Sequence, residues 1–198
     1  MNLSKNDTFS KYDNDFSILW GFHGTTDKNF IEIKNSRQFK INRRNNHWLG
    51  NGVYFFLNDQ RKAEWWSEMT VRNMRKRSTY DSHIKKAVIS CQIKVKNKKF
   101  LDLDTKDGKI KLKNFTIELE KIKPQISQKN IDEHELLCVT IDLMVRYYDY
   151  DVVKYTFVDK KDNIDLKKFG IDGHGQQATV FNQSVINFDS LEGEIYDA

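Results

Sequence analysis

The stretch 49–57 constrains the fold of this chain more than any other. Gly50 and Gly52 bracket a turn, because glycine accepts backbone conformations that other residues avoid. Val53-Tyr54-Phe55-Phe56-Leu57 follows at once, and such β-branched and aromatic bulk predicts a strand over 53–57. Asn58 or Asp59 can then cap a long helix, predicted over 60–76. A turn, a strand and a helix are thus expected in immediate succession.

Patterns elsewhere in the chain predict further strands and two more helices. The predicted strands are 15–25, 86–95, 100–103, 152–158 and 178–181. The predicted helices are 27–36, which Thr26 or Asp27 can cap, and 132–148, which Asp132 can cap. Segment 109–122 is compatible with either helix or strand. Because strands predominate and helices occur early and in the middle of the chain, we predict an α+β fold. The 198 residues suit one domain, since one proline and nine scattered glycines mark no linker.

Composition excludes several classes of protein. A hydrophobic content of 38% with 13% aromatic residues favours a folded chain over a disordered one. No apolar run approaches the roughly 20 residues of a membrane helix, and residues 1–15 contain no apolar signal core. We therefore expect a cytoplasmic protein without a membrane partner. Cys91 and Cys138 lie in apolar stretches and are expected to be buried thiols; no histidine pairs with them at zinc-ligand spacing, so no metal is expected.

Three short motifs carry the candidate chemistry. The first is His23-Gly24-Thr25 at the end of a predicted strand, where glycine would let a ligand approach the main chain and the imidazole could bond a sugar hydroxyl. Alone, this tripeptide is more typical of a core histidine before a turn. The second joins Tyr54 to Trp65, eleven residues later, with Ala63 just before.

Two such aromatic faces can sandwich a flat ring, although an aromatic group of this kind is more often plain core. Trp65 and Trp66 point about 100° apart on a helix, so one can face a pocket while the other packs inside. The third motif places Gln177 at the mouth of the predicted strand 178–181. A glutamine there can hold a ribose hydroxyl but cannot take a proton as a carboxylate would.

In this order, the motifs resemble those of the poly- and mono-ADP-ribosyltransferases of the His-Tyr-Glu type. The matching residues are His23 to Thr25, Gly52 to Phe55, Ala63 with Trp65, and the strand from Gln177 to Asn182. The resemblance spans about 16–186. It implies a single domain of 1–198 with a split β-sandwich that clamps NAD as its substrate.

The resemblance also implies a role for each matched position. His23 would bond the adenosine ribose, and Gly24, with Thr25 beside it, would anchor the nicotinamide amide. Tyr54 and Trp65 would stack on the nicotinamide ring, next to Ala63. Gln177 would hold the ribose whose bond breaks, and His23, Tyr54 and Gln177 form the catalytic set. Arg43 and Arg44, between the first two motifs, could meet the pyrophosphate.

The chain departs from the family's pattern at two positions. The glutamate is replaced by Gln177, unless Gln176 takes that place, which implies transfer of a single ADP-ribose rather than chain growth. The serine that bonds the nicotinamide amide in many members is Lys62 here, so that contact is in question. Another base would have to serve the acceptor, and Glu64, Glu68 and His174 are candidates by nearness in sequence, although each is more typical of a solvated surface group.

The acceptor is open between two classes of macromolecule. The net charge of +5 and the clustered cations favour nucleic acid, RNA before DNA, as the acceptor. Those cations are Arg72, Arg75, Lys76 and Arg77, followed by Lys94, Lys96, Lys98 and Lys99. A protein side chain is the alternative acceptor, and a non-catalytic module for NAD or ADP-ribose is a second alternative. The resemblance further implies a bacterial toxin or anti-phage protein, with an antitoxin as a possible partner.

Overall fold

The computed structural model describes residues 15–45, 47–76, 83–122, 132–158 and 174–196. These residues form seven strands and four α-helices, in an α+β arrangement as the sequence predicts. In chain order they are β1 (Phe16–Thr26), α1 (Asp27–Ser36), β2 (Val53–Leu57), α2 (Gln60–Arg75), β3 (Lys86–Lys96), β4 (Phe100–Asp102), α3 (Lys106–Ile122), α4 (Glu133–Tyr148), β5 (Val152–Val158), β6 (His174–Val180) and β7 (Ile186–Tyr196).

Side-chain caps begin three of the helices where the sequence predicts them. The side chains of Thr26, Asp59 and Asp132 accept hydrogen bonds from main-chain N–H groups in the first turns of α1, α2 and α4. Segment 109–122, ambiguous by pattern, belongs to helix α3. The third motif begins its strand earlier than predicted, since β6 starts at His174 and contains Gln177. Strand β7 has no counterpart among the predicted elements.

All seven strands belong to one sheet, in the order β4-β5-β6-β2-β1-β3-β7. Neighbouring strands are antiparallel except β4 and β5. Strand β1 pairs with β3 along its whole length, from Phe16–Lys96 to Thr26–Lys86. Its pairing with β2 is confined to Gly21–Leu57 and Phe22–Phe56. The sheet is therefore nearly divided between β1 and β2, and we call this division the split.

The helices cover the two faces of the sheet unequally. Helix α1 packs on one face, where Phe30 and Ile33 join Phe55 and Ile89 in a buried cluster. Helices α3 and α4 cover the opposite face near β4 and β5, with Ile141 among their buried residues. Helix α2 lies on that opposite face too, over β1 and β3. We call the two sides the α1 face and the α2 face.

Candidate active site

The split begins where a side chain replaces a main-chain donor. Asn58 N–H donates to Trp20 O (3.1 Å), and the next hydrogen-bonded pair is Phe22–Phe56. A continuing ladder would join Gly24 N–H to the Tyr54 carbonyl two residues further on. That carbonyl instead bonds the His23 imidazole, at 2.8 Å from Nδ1. By the alternation of a strand, the N–H and C=O of Gly24 point toward β2, where they meet no strand partner in the described residues.

The geometry fixes the tautomer of His23. Because the Tyr54 carbonyl can only accept, Nδ1 carries the proton and Nε2 keeps its lone pair. The ring packs against Phe39 and Phe55, with centroids at 5.2 and 5.8 Å. Burial lowers the pKa of His23 below its ordinary 6.5, although the hydrogen bond to Tyr54 opposes the shift. At neutral pH the imidazole is therefore neutral. It occupies the Tyr54 carbonyl through Nδ1 and keeps Nε2 as a hydrogen-bond acceptor.

Tyr54 is held by its hydroxyl and by one face of its ring. Its hydroxyl donates to Gly50 O (2.9 Å) and accepts from Leu49 N–H (2.7 Å), which closes the glycine-rich turn over the ring. The ring stacks on His47, with centroids 5.4 Å apart and planes 25° apart. Burial is the main reason that the pKa of the Tyr54 phenol is raised. Tyr54 thus forms a rigid, neutral wall with one aromatic face already covered.

Helix α4 holds the turn at Gly50 through a residue pair that the sequence does not predict. Asp142 accepts from the main-chain N–H and the side-chain amide of Asn51, both at 2.7 Å. Gly50 adopts φ +77°, and a methyl group there would lie 2.6 Å from Asp142 Oδ1. The two partners lie 91 residues apart, so only the position of Asn51 between two glycines hints at its role.

The structure separates the two glutamines of the third motif. Gln177 lies directly across from Phe56 on β2 and from Tyr155 on β5. It therefore shares the α2 face with Tyr54, which lies two residues from Phe56. Gln176 points to the α1 face, where its amide lies 3.4 Å from Thr156 Oγ1. Gln177, rather than Gln176, is the glutamine on the side of the sheet that carries Tyr54.

Helix α2 crosses β1 in contact with the first motif. A methyl group on Gly24 would lie 2.0 Å from the carbonyl oxygen of Ala63, so only glycine allows this approach. Ala63 itself is fully buried. The side chain of Lys62 extends from α2 toward β6, because a methyl group on Gly175 would lie 3.6 Å from its Cδ and Cε. Lys62 therefore lies two residues along β6 from Gln177, level with Asn58 at the closed end of the split.

Both tryptophans of α2 are about half exposed, Trp65 at 52% and Trp66 at 51%. The expectation that one of them packs inside is wrong. Their rings contact each other at 6.1 Å, and no ring contact joins Trp65 to Tyr54 within the described segments. Trp66 follows Lys62 by one helical turn and so shares the flank that faces β6. Trp65 lies about 160° from the middle of the buried stripe of Ala63, Ser67 and Val71, toward solvent.

The acidic residues of α2, Glu64 and Glu68, lie on the flank of the helix that is turned away from Gln177. Glu64 Oε1 lies 3.4 Å from the hydroxyl of Tyr196 on β7, at the far edge of the sheet from β6. Glu68 follows one turn later on the same flank of α2. The structure therefore removes Glu64 and Glu68 as candidates for a base beside Gln177. The third candidate, His174, has a side chain outside the described residues, as does the cation Arg77.

The remaining candidate residues are divided between structure and surface. Thr25 is 4% exposed on the α1 face, and its hydroxyl accepts from the Asn29 amide (3.2 Å), so its side chain is occupied inside the fold. Arg43 is exposed between Phe39, which contacts His23, and His47, which contacts Tyr54. Arg44 N–H donates to Asn51 Oδ1 (2.8 Å). Both arginines therefore belong to the segment beside the turn that precedes β2, at the open end of the split.

Two surface depressions, of about 460 and 380 Å³, lie elsewhere on the described surface. The first is lined by Phe22 and Gly193 among others, the second by Phe16 and Arg37, and neither includes His23, Tyr54, Trp65 or Gln177. Because both depressions lie away from these residues, we base the candidate site on the unpaired main chain of the split. In the described segments, no group of three or more His, Cys, Asp or Glu side chains is arranged to hold a metal ion.

Comparison of the chain with protein-family models, with curated proteins and with solved structures finds no match. No helix among the described residues is long and apolar enough to span a membrane.

Proposed function

We propose that this chain is an NAD-dependent mono-ADP-ribosyltransferase whose nicotinamide site is the split between β1 and β2. One observation carries the proposal: His23 Nδ1 takes the Tyr54 carbonyl that Gly24 N–H would otherwise occupy. This substitution leaves a donor and an acceptor of one glycine side by side at a gap in the sheet. Tyr54 and Gln177 lie beside that gap on the α2 face of the sheet.

A carboxamide is the chemical group that matches Gly24. Its NH₂ donates to the Gly24 C=O and its oxygen accepts from the Gly24 N–H, so both main-chain groups are satisfied by one planar ligand. The pyridine ring then lies against the free face of Tyr54, whose other face is covered by His47. Trp66, on the α2 flank toward β6, supplies the opposing wall in place of Trp65.

Polar groups around the ring divide between ribose and phosphate. His23 Nε2 accepts from a hydroxyl of the adenosine ribose, and the Gln177 carbonyl accepts from a hydroxyl of the ribose that bears nicotinamide. Lys62 is a cation, and positive charge develops on that ribose as its bond breaks. Lys62 is therefore poorly suited to the nicotinamide, whereas Arg43 and Arg44, beside the turn that precedes β2, suit the pyrophosphate.

The reaction breaks the bond between ribose C1′ and the nicotinamide nitrogen, whose electron pair leaves with neutral nicotinamide. The acceptor's lone pair then forms the new bond to C1′, and its proton passes to water or to a group of the acceptor. Strands β2, β5 and β6 contain no Asp or Glu within their described residues. A carboxylate that would prepare a ribose hydroxyl for chain growth is thus missing from these strands, which supports transfer of one ADP-ribose.

We favour a nucleic-acid acceptor, RNA before DNA, and a role as a bacterial toxin or anti-phage effector in the cytoplasm. The net charge of +5 and the cations of α2 support this choice. A protein side chain is the alternative acceptor. The missing carboxylate also favours a second candidate function, a module that binds NAD or ADP-ribose without chemistry.

Labelled NAD and total lysate separate these functions. Protein incubated with both should transfer label to material that RNase removes and that protease and DNase leave. Gln177→Ala should lower transfer by about 100-fold or more, the usual loss of one transition-state hydrogen bond. Gln176→Ala, on the opposite face, is the matched control and should transfer normally. Label removed only by protease would show a protein acceptor, and NAD binding without any transfer would favour the binding module.

A further inference from the structure

The outer side of α2 carries a stripe of exposed residues that the nicotinamide site does not use. Its members are Arg61, Trp65, Glu68, Arg72 and Lys76, which follow one another at intervals of three or four residues and are all exposed. We call this set the Trp65 stripe. None of the ion pairs in the described residues involves Arg61, Arg72 or Lys76. The stripe combines three cations with one carboxylate and one half-exposed indole.

Ordinary helix stabilisation accounts for only part of this stripe. Arg72 and Lys76 lie at the end of α2, where cations compensate the helix dipole. Arg61 lies in the first turn, where the same dipole disfavours a cation. Trp65 exposes half of its indole beside a second half-exposed indole, although straight-chain polar residues or alanine would favour the helix more. Arg61 and Trp65 therefore point to a ligand rather than to helix stability.

We propose that the Trp65 stripe binds single-stranded nucleic acid. A base stacks on the exposed face of Trp65, while Arg61 and Arg72 bind phosphates on either side of it. Aromatic faces between cations are the usual platform for single strands, because every base has a π-face and every linkage carries a charge. Arg61 and Arg72 lie about 16 Å apart along the helix, which is enough for several nucleotides. A duplex keeps its bases stacked inside and cannot use Trp65.

The stripe and the candidate active site share helix α2. Arg61 is followed by Lys62, whose side chain lies over β6 near Gln177. A strand held on the outer side of α2 is thus kept on the helix that packs against Gly24 of the split. In this respect the inference rests on the proposed function, since it names the surface that delivers a nucleic-acid acceptor to the ribose.

Oligonucleotide binding without NAD tests the stripe independently of transfer. The probes are fluorescent 12-nucleotide single-stranded RNA, single-stranded DNA and duplex DNA, followed by anisotropy at 50 and 200 mM salt. Wild-type protein should bind the single strands more tightly than the duplex. Trp65→Ala should weaken single-strand binding about tenfold. Arg61→Ala/Arg72→Ala should reduce the salt slope by about 1.4, the value for two phosphate contacts on a single strand.

Matched controls lie on the other helices. Tyr147 is 74% exposed on α4 and Lys113 is exposed on α3, so Tyr147→Ala and Lys113→Ala remove an exposed aromatic and an exposed cation away from the stripe. Both variants should bind like wild type. Equal losses in the controls, undiminished binding by Trp65→Ala, or a preference for duplex would overturn the proposal.

The two proposals can fail separately. If oligonucleotide binding depends on the stripe but no label is transferred, the binding surface is supported and the transferase proposal is overturned. Transfer to a protein with no oligonucleotide binding keeps the transferase and overturns the binding surface.

Discussion

Strand β1 has two neighbours, and it pairs with them very differently. On one side, β3 pairs with β1 at every residue from Phe16 to Thr26. On the other, β2 pairs only at Gly21 and Phe22 before the strands separate. Both edges of β1 consist of the same kind of main-chain donors and acceptors. The difference lies in His23, whose side chain takes the acceptor that the next ladder pair would use.

The comparison shows how a sheet can leave main-chain groups unpaired without a large cavity. A continuous ladder satisfies its own polar groups and leaves nothing for a ligand. At the split, side chains hold the strands in place: His23 bonds the Tyr54 carbonyl, and Tyr54 bonds the turn at Leu49 and Gly50. The N–H and C=O of Gly24 are thereby left without a strand partner in the described residues.

The largest expected effect comes from Gly24→Ala, which places a methyl group 2.0 Å from the Ala63 carbonyl oxygen. Helix α2 must move away from β1, and we expect a loss of about 3 kcal/mol in the free energy of unfolding, measured with urea. Gly175→Ala is the control across the split, because its methyl group would meet Lys62 at an ordinary 3.6 Å. It should change the stability by less than about 0.5 kcal/mol. Equal losses in the two variants would contradict the close contact of α2 with β1.

Tyr54→Phe tests whether side chains hold the β2 edge. The variant removes both hydrogen bonds of the hydroxyl, and we expect a loss of about 2 kcal/mol in the free energy of unfolding. Tyr155→Phe, on the same face of the sheet, removes a hydroxyl for which the described residues show no hydrogen bond. It should be nearly neutral, and a loss as large as that of Tyr54→Phe would contradict the role of the turn.

His23→Phe keeps the ring between Phe39 and Phe55 but removes the donor to Tyr54. We expect a loss of about 1 kcal/mol, the cost of one unmade hydrogen bond. The wild-type protein should also become less stable as the pH falls below 6.5, until the lowered pKa of folded His23 is passed, because the unfolded state binds the proton more readily. Urea unfolding between pH 5 and 8 checks this slope. It should be weaker in His23→Phe; an unchanged slope would assign it to other groups.

The smallest effect concerns the two tryptophans. Trp66→Ala should weaken NAD binding by about three- to tenfold, as for the loss of one aromatic wall, whereas Trp65→Ala should change it little. Calorimetric titration with NAD measures both variants. The reverse order would restore Trp65 as the stacking residue, as the sequence predicts.

The sequence predicts local structure well where one side chain decides it. The caps Thr26, Asp59 and Asp132 begin helices at the predicted places, and the strand after Gly52 has the predicted bounds. Strand β7 is not predicted from the sequence because it is polar and includes Gly193. Its pairing with β3, rather than local preference, makes it a strand.

The candidate site could be predicted as a set of residues but not as a geometry. The sequence names His23, Gly24, Tyr54 and Gln177 as candidates, but the side of the sheet that each faces depends on strand bounds and register. The choice between Gln176 and Gln177 needed β6 to begin at His174. The stack of His47 on Tyr54 and the clamp by Asp142 depend on contacts that no local pattern encodes.

The most direct test of the split as a nicotinamide site is an NMR titration of protein labelled with ¹⁵N-glycine, which gives only nine main-chain signals. Addition of NAD, and separately of nicotinamide, should shift the Gly24 amide strongly and leave Gly193, in the depression at the far edge of the sheet, unmoved. Nicotinic acid should shift Gly24 far less, because its carboxylate has no donor for the Gly24 carbonyl. A Gly24 signal that stays in place while Gly193 moves would contradict the account.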